Sequence, residues 1–251
     1  MIDRPYTVLS CCISLDGYLD DATSSRLHLS NELDLARVDA VRASCDAILV
    51  GAGTVRKDDP RLLIRAPALR SARVAARRRP SPVKVTVTRT GALDPRAHFF
   101  TAGDSDRLVY CAGPAAAAAD RRFGGAATVV DAGPRPTMEH LVADLADRGI
   151  ERLLVEGGGS VLTQFLTAGL ADELQLAVAP VFVGDHRGPR FVEDGRFPWT
   201  AGSRADLIDT RAIGDVALLT YALSPRCSTR RGGAAAGAMD LQRGSLRPPG
   251  S

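Results

Sequence analysis

Three short stretches of the chain hold the residues best suited to chemistry, and each follows an apolar run. In residues 152–164, RLLVEGGGSVLTQ, the run Leu153-Leu154-Val155 reads as a buried strand that Glu156 ends. Gly157, Gly158 and Gly159 then form a loop, and a helical pattern with Val161, Leu162, Phe165 and Leu166 on its apolar side starts at Ser160. Strand, glycine loop and helix together aim backbone N–H groups at an anion. Glycine allows close approach, and the helix N-terminus carries the positive end of the dipole. Ser160 is placed to cap that helix. The plainer alternative is a tight turn that needs positive φ, although one glycine usually suffices for it. The stretch is neither a GxxxxGK[ST] loop nor a complete GxGxxG.

The second stretch, GAGT at residues 51–54, follows the apolar run 45–50, CDAILV. The third, SLDG at residues 14–17, closes the β-rich run that begins at Tyr6. If these strands are parallel, all three ends open on one rim, where ligands of open α/β sheets bind. Two glycine-rich loops on one rim suit a long ligand with several phosphates, such as a dinucleotide. The GAG resembles half a dinucleotide fingerprint, but Arg56 sits where the third glycine belongs, which disfavours an ordinary Rossmann domain. Asp16 and Glu156 are each a strand-end carboxylate beside a glycine, able to transfer a proton or hold a polar substrate. Asp16 could equally form a turn with Gly17. Arg42 and Arg65 could grip a phosphate through paired hydrogen bonds, or be surface cations. His28, His98, His140 and His186 show no ligand spacing, so no metal site is expected.

The elements that must position these residues alternate. Residues 6–15, 45–50, 83–88, 108–111, 127–130 and 152–155 read as strands. Between them, residues 30–43 read as a helix capped by Ser30 with Leu33, Leu35, Val38 and Val41 as apolar positions, residues 114–122 as an alanine-rich helix, and residues 138–147 as an amphipathic one. The Arg- and Ala-rich segment 66–82 reads as a solvated helix or loop; no aromatics interleave with its charges, so it is not a nucleic-acid surface. Such a rhythm implies a mainly parallel sheet covered on both faces. After residue 166 it changes: a strand at 173–179, an irregular Gly- and Pro-containing segment at 181–199, and two strands, 205–213 and 215–223, joined by a tight turn as an antiparallel hairpin. The fold class is therefore α/β, with a mostly parallel central sheet, helices on both faces and antiparallel C-terminal strands. Residues 1–224 read as a single domain and 225–251 as a disordered tail.

The chain has 251 residues, a net charge of +3, and 45% apolar residues. That describes an ordinary globule with no strong case for nucleic acid or membrane partners. Five cysteines without paired spacing read as free thiols in a reducing cytoplasm. No signal sequence and no bilayer-spanning run are visible.

Together, SLDG at 14–17, ILVGAGTVRKDDPRLLIR at 48–65 and LVEGGGSVLTQFL at 154–166 resemble the reductase domain of riboflavin biosynthesis, a family similar in fold to dihydrofolate reductase. The resemblance covers residues 6–223. It implies NADPH as hydride donor and a ribosylaminopyrimidine 5′-phosphate as substrate, whose ribosyl group is reduced to ribityl. It implies cofactor contacts at Gly53, Thr54, Asp58 and Arg89, the last suited to a 2′-phosphate, and at Gly158, Gly159, Ser160, Val161, Leu162, Thr163 and Gln164 around the pyrophosphate. Ser25, Arg42, Leu62, Arg65 and Glu156 align with substrate contacts, the two arginines on its phosphate. Asp16 is the candidate proton donor. A homodimer through the strands after Glu173 is also implied. Ser10 stands where many bacterial members carry Lys, and Leu27 where a Trp often meets the cofactor. The deaminase half fused to many bacterial members is not seen, so a free-standing form is expected. The Ser10 change leaves a dihydropterin or a specialised-metabolite pyrimidine open as substrate. The unassigned proton donor leaves open a non-catalytic nucleotide-binding protein.

Overall fold

A computed structural model describes residues 4–23 and 25–227. Its elements are, in chain order, β1 (Tyr6–Ile13), α1 (Glu32–Ser44), β2 (Ala47–Gly51), α2 (Ala52–Asp58), α3 (Pro67–Ala75), β3 (Val83–Thr88), α4 (His98–Thr101), β4 (Arg107–Cys111), α5 (Gly113–Phe123), β5 (Thr128–Asp131), α6 (Met138–Asp147), β6 (Arg152–Gly157), α7 (Gly159–Thr167), β7 (Glu173–Val178), β8 (Asp206–Ile213) and β9 (Val216–Ala222). Among the described residues the strands form one nine-stranded sheet in the order β5-β4-β3-β2-β6-β1-β7-β9-β8. All pairings from β5 to β7 are parallel, whereas β9 runs antiparallel to both β7 and β8. This is the expected α/β sheet with its antiparallel finish.

Because successive strand side chains face opposite ways, each central strand feeds two cores. Leu9, Leu49, Leu153 and Val155 pack with Leu141, Val142 and Leu145 of α6 and with Leu162 and Phe165 of α7. Their neighbours Val8, Ile48, Val50 and Leu154 pack on the other face with Val55 of α2, Phe99 and Phe100 of α4, and Phe123 of α5. Full burial of a side chain such as Phe165 stabilises the fold by about 1.5–3 kcal/mol. The turn of the C-terminal hairpin is made by Gly214 at φ +63°.

The first helix departs from expectation. Its cap is Asn31 rather than Ser30, and the Asn31 side chain accepts from the Asp34 backbone N–H at 2.8 Å. Leu33 is 59% exposed, while Asp34 and Asp39 are the buried residues of α1. Asp34 lines the rim of the sheet, Asp39 accepts from the backbone N–H groups of Arg65 and Ala66, and Val41 packs against the apolar core. Ser160 is not a cap either: Gly158 occupies that position in α7, and no side chain caps the helix. Segment 66–82 contains α3, whose Arg73 is buried and donates to the carbonyls of Ala43 and Cys45.

The boundary expected at residue 225 falls too early. Cys227 is 4% exposed, and Arg226 bonds the carboxylate of Asp172 at 3.2 Å, so the chain is still packed there. The rest of the expected tail, 228–251, lies outside the described residues. Cys11, Cys12, Cys45 and Cys111 are free thiols. No described helix is long and apolar enough to cross a membrane, and no group of three or more His, Cys, Asp or Glu among the described residues could hold a metal ion.

Candidate active site

Because β1, β2, β3 and β6 are parallel, their carboxyl ends share one rim, and a cleft of about 1320 Å³ opens above it. The cleft has two differently built sides.

One side is made of backbone. β2 and β6 are adjacent, and each leads at once into a helix, α2 through Gly51 and α7 through Gly158. Neither helix has a side-chain cap, so both present N-terminal N–H groups at the rim. The loops touch. A Cβ on Gly51 would lie 3.0 Å from Val161 Cγ2, and one on Gly158 would lie 3.3 Å from Thr54 Oγ1. At Gly159 a Cβ would come within 2.5 Å of the Arg190 carbonyl oxygen. Gly157 holds φ at +121°, a left-handed value that suits glycine alone, and the Gly157–Gly158 peptide is cis. The GGG run therefore serves both readings of the sequence: a positive-φ turn at Gly157, then an uncapped helix N-terminus at Gly158 and Gly159. Gly53, Thr54, Asp58, Arg89, Gly158, Gly159, Ser160, Val161 and Gln164 all line the cleft. Leu162 and Thr163 do not. Leu162 is fully buried, and Thr163 ties α7 down by donating to the Gly159 carbonyl at 2.8 Å while accepting from the Glu193 N–H at 2.8 Å. Burial pushes the Asp58 carboxyl upward, with Arg26 pulling it back. Arg89 is exposed and makes no hydrogen bond or ion pair with any described residue, which leaves its charge available at the cleft edge.

The other side is made of side chains on α1, β1 and β6. Arg42 and Glu156 form a bidentate pair, both bonds 2.7 Å, and Arg42 also donates to the Leu63 carbonyl at 3.0 Å. Burial works against the Arg42 charge, but Glu156 outweighs it and raises the Arg42 pKa. Beside the pair, Arg37 bridges Asp34, Ser10 and Gln175. At the mouth, Lys57 of α2 bonds Asp20 at 2.7 Å and so fastens the segment after β1 across the rim.

Several expected contacts lie elsewhere. Asp16 is outside the cleft lining. Its carboxylate accepts from Ser14 Oγ at 2.6 Å and from the N–H groups of Val183 and Gly184 at 3.1 and 2.8 Å. The Ser14 bond and those backbone bonds hold its pKa down to about 2, so it carries no proton to give at neutral pH. With Gly17 at φ +87° beside it, Asp16 organises a turn, the alternative that the sequence left open. Ser25, Leu62 and Arg65 also fall outside the lining. Ser25 is exposed, Leu62 is 2% exposed within the core, and Arg65 lies over α1, donating to the Leu35 carbonyl at 2.6 Å. Arg42 and Glu156 do line the cleft, but paired with each other, so Arg42 is not a free phosphate clamp. The residues missed by sequence reasoning are Asp34, Arg37 and Gln175. The signal for the first two was present: Asp and Arg at i and i+3 on a helix whose apolar stripe is weak.

The chain that builds this site is similar to other proteins in sequence and in fold. Residues 5–219 match the family model described as the RibD C-terminal domain. The chain belongs to that family. Among the relatives of this RibD C-terminal domain is a protein of Methanothermobacter thermautotrophicus, 39% identical over 197 residues, which span 76% of this chain and 85% of that one. A protein of Archaeoglobus fulgidus is 33% identical over 195 residues, spanning 77% and 89%. Both are named 2,5-diamino-6-ribosylamino-4(3H)-pyrimidinone 5′-phosphate reductase. In fold the chain is similar to a pyrimidine reductase-like protein from Corynebacterium diphtheriae, with a TM-score of 0.73 at 21% identity, covering 87% of this chain and 91% of that one. It is also similar to a deaminase/5-amino-6-(5-phosphoribosylamino)uracil reductase from Thermotoga maritima, with a TM-score of 0.69 at 22% identity, covering 87% and 56%.

Proposed function

We propose that the chain is a reductase of riboflavin biosynthesis that takes NADPH and a 2,5-diamino-6-ribosylamino-4(3H)-pyrimidinone 5′-phosphate and reduces the ribosyl group to ribityl. The observation that carries this reading is the closeness of the two glycine loops, where a Cβ at 158 would crowd Thr54 at 3.3 Å, together with the backbone of Arg190, which a Cβ at 159 would meet at 2.5 Å. Such a cradle fits a diphosphate. Gly158, Gly159 and Ser160 would hold it through N–H groups at the positive end of α7, with Thr54 alongside. Arg89 suits a 2′-phosphate and hence NADPH over NADH. When bound, the nicotinamide supplies a hydride. The ribosylamine opens to an imine, C1′=N; the hydride adds to C1′ and a proton to the nitrogen, leaving the ribityl amine.

The contribution of the protein is positional. The Arg42–Glu156 pair and the Arg37 bridge form a rigid wall against which the pyrimidine and sugar can be oriented. Orientation of this kind can supply several kcal/mol of a barrier. The names of the relatives support this substrate over a pterin, and a catalytic role over a purely binding one. Such a reductase works in the cytoplasm. We read it as a homodimer formed through the outer strands, where β8 is the last strand of the described sheet and Leu207 is 55% exposed. Light scattering on the full chain tests the dimer. NADPH oxidation with the diaminopyrimidinone ribosyl phosphate tests the activity; folded protein that retains NADPH yet gives no turnover sinks it.

A further inference from the structure

The wall opposite the glycine loops contains a buried acceptor with nothing to accept. Asp34 lines the cleft and is 0% exposed. Its Oδ1 takes the Arg37 Nε–H at 2.8 Å, but its Oδ2 is buried and accepts no hydrogen bond from any described residue. Buried carboxylate oxygens are normally satisfied, because desolvation without a partner is costly. Asp34 cannot readily turn away to find one. Arg37 is itself held, donating to Gln175 Oε1 at 2.6 Å and to Ser10 Oγ at 3.3 Å. Gln175 in turn donates to Glu173 Oε1 at 2.6 Å, and Glu173 Oε2 accepts from the Tyr6 hydroxyl at 3.0 Å. The chain of bonds runs across β1 and β7 and fixes the carboxylate from behind. The Asn31 cap fixes the backbone of Asp34 from the other side.

We infer that Asp34 reads the pyrimidine ring, accepting hydrogen bonds from N3–H and the 2-amino group, and so selects a 2-amino over a 2-oxo pyrimidine. This rests on the reading of the cleft as a ribosylaminopyrimidine reductase site. A 2-amino-4(3H)-pyrimidinone presents two parallel donors, N3–H and N–H of the 2-amino group, which match the two oxygens of a carboxylate. A uracil ring keeps N3–H but places a carbonyl oxygen at position 2, and its lone pairs would face the buried carboxylate. A site built around an acceptor discriminates strongly when the donor is replaced. Asp34 is thus a specificity residue that touches the ring, away from the reacting C1′.

The test compares kcat/KM for NADPH oxidation with the 2,5-diamino-pyrimidinone and with the 5-amino-uracil ribosylamino 5′-phosphates. The wild-type enzyme is expected to favour the 2-amino substrate at least about tenfold. In Asp34→Asn, which keeps an oxygen for Arg37 and puts an N–H donor in place of Oδ2, that ratio is expected to fall at least about tenfold. A wild-type ratio near one, or a preference for the uracil, overturns the role of Asp34 and leaves the reductase reading intact; it needs no variant and so stands even if Asp34→Asn fails to fold. An unchanged ratio in a folded Asp34→Asn also overturns it, because a purely structural aspartate would lower both rates alike. Turnover of neither substrate by the wild-type enzyme removes the reductase reading itself and this inference with it.

Discussion

The two sides of the cleft solve the problem of binding in different ways. The β2–α2 and β6–α7 side offers backbone N–H groups, and its specificity comes from what is missing, namely the Cβ atoms of Gly51, Gly158 and Gly159. The α1 side offers side chains already paired with each other, Arg42 with Glu156 and Arg37 with Asp34 and Gln175. A backbone cradle suits a ligand part that is the same in every use, such as a diphosphate. A wall of oriented polar pairs suits a part that must be told from close analogues. The division also separates the two kinds of damage that substitution should cause: on the glycine side, a clash within the protein that displaces the loops; on the other, uncompensated buried charge.

The largest effect should come from the wall. Arg42→Ala leaves Glu156 without its partner at a site where both side chains are about 15% exposed, and should destabilise the fold by about 3 kcal/mol. Urea unfolding at neutral pH measures this; a loss under about 1 kcal/mol would mean the pair behaves as an exposed one. Next comes Gly159→Ala. Its methyl would meet the Arg190 carbonyl at 2.5 Å, and the strain should cost about 1–3 kcal/mol, felt mainly as weakened NADPH binding in a titration. If the variant binds NADPH like the wild type, the cradle is not where the diphosphate sits.

A smaller and more selective change is expected of Arg89→Ala. It removes an exposed charge with no partner among the described residues, so NADPH affinity should fall about tenfold with NADH affinity unchanged. Equal losses for both nucleotides would contradict a 2′-phosphate contact.

The smallest effect sharpens the reassignment of Asp16. Its folded pKa of about 2 lies below the ordinary 3.8, so the stability it contributes is fully present above about pH 4 and is lost as pH falls towards 2. The stability gap between wild type and Asp16→Ala should therefore be constant from pH 5 to 7 and close on acidification, while the pH profile of kcat near neutrality stays unmoved. A shift in that profile would return Asp16 to proton transfer.

The same contrast explains what could be read from the sequence. The glycine side was legible because its chemistry is local. Strand, GGG and helix follow one another within residues 152–164, and the sheet order then needs only the strand–helix rhythm to bring residues 51–54 beside them. On the wall, Arg42 and Glu156 were visible as candidates but their pairing was not, because the long-range pairs join residues far apart in the chain: Arg42 with Glu156 lie 114 residues apart and Arg37 with Gln175 lie 138 apart. No local pattern announces such a pair. Leu33 misled for a related reason. The helical spacing was right, but Asp34 is turned to the rim and Asp39 to the backbone of Arg65 and Ala66, so both are buried and Leu33 is left outside. Asp16 was visible as a strand-end carboxylate, yet the Val183 and Gly184 N–H groups that occupy it come from the irregular segment after β7, where sequence gives no register.

A crystal structure with NADPH bound tests the central claim most directly. The account predicts the diphosphate oxygens at hydrogen-bond distance, about 2.7–3.2 Å, from the N–H groups of Gly159 and Ser160, with the nicotinamide between the glycine loops and the Asp34–Arg37 wall. A diphosphate bound away from the Gly158–Gly159 turn, or a nicotinamide pointing out of the cleft, would contradict it.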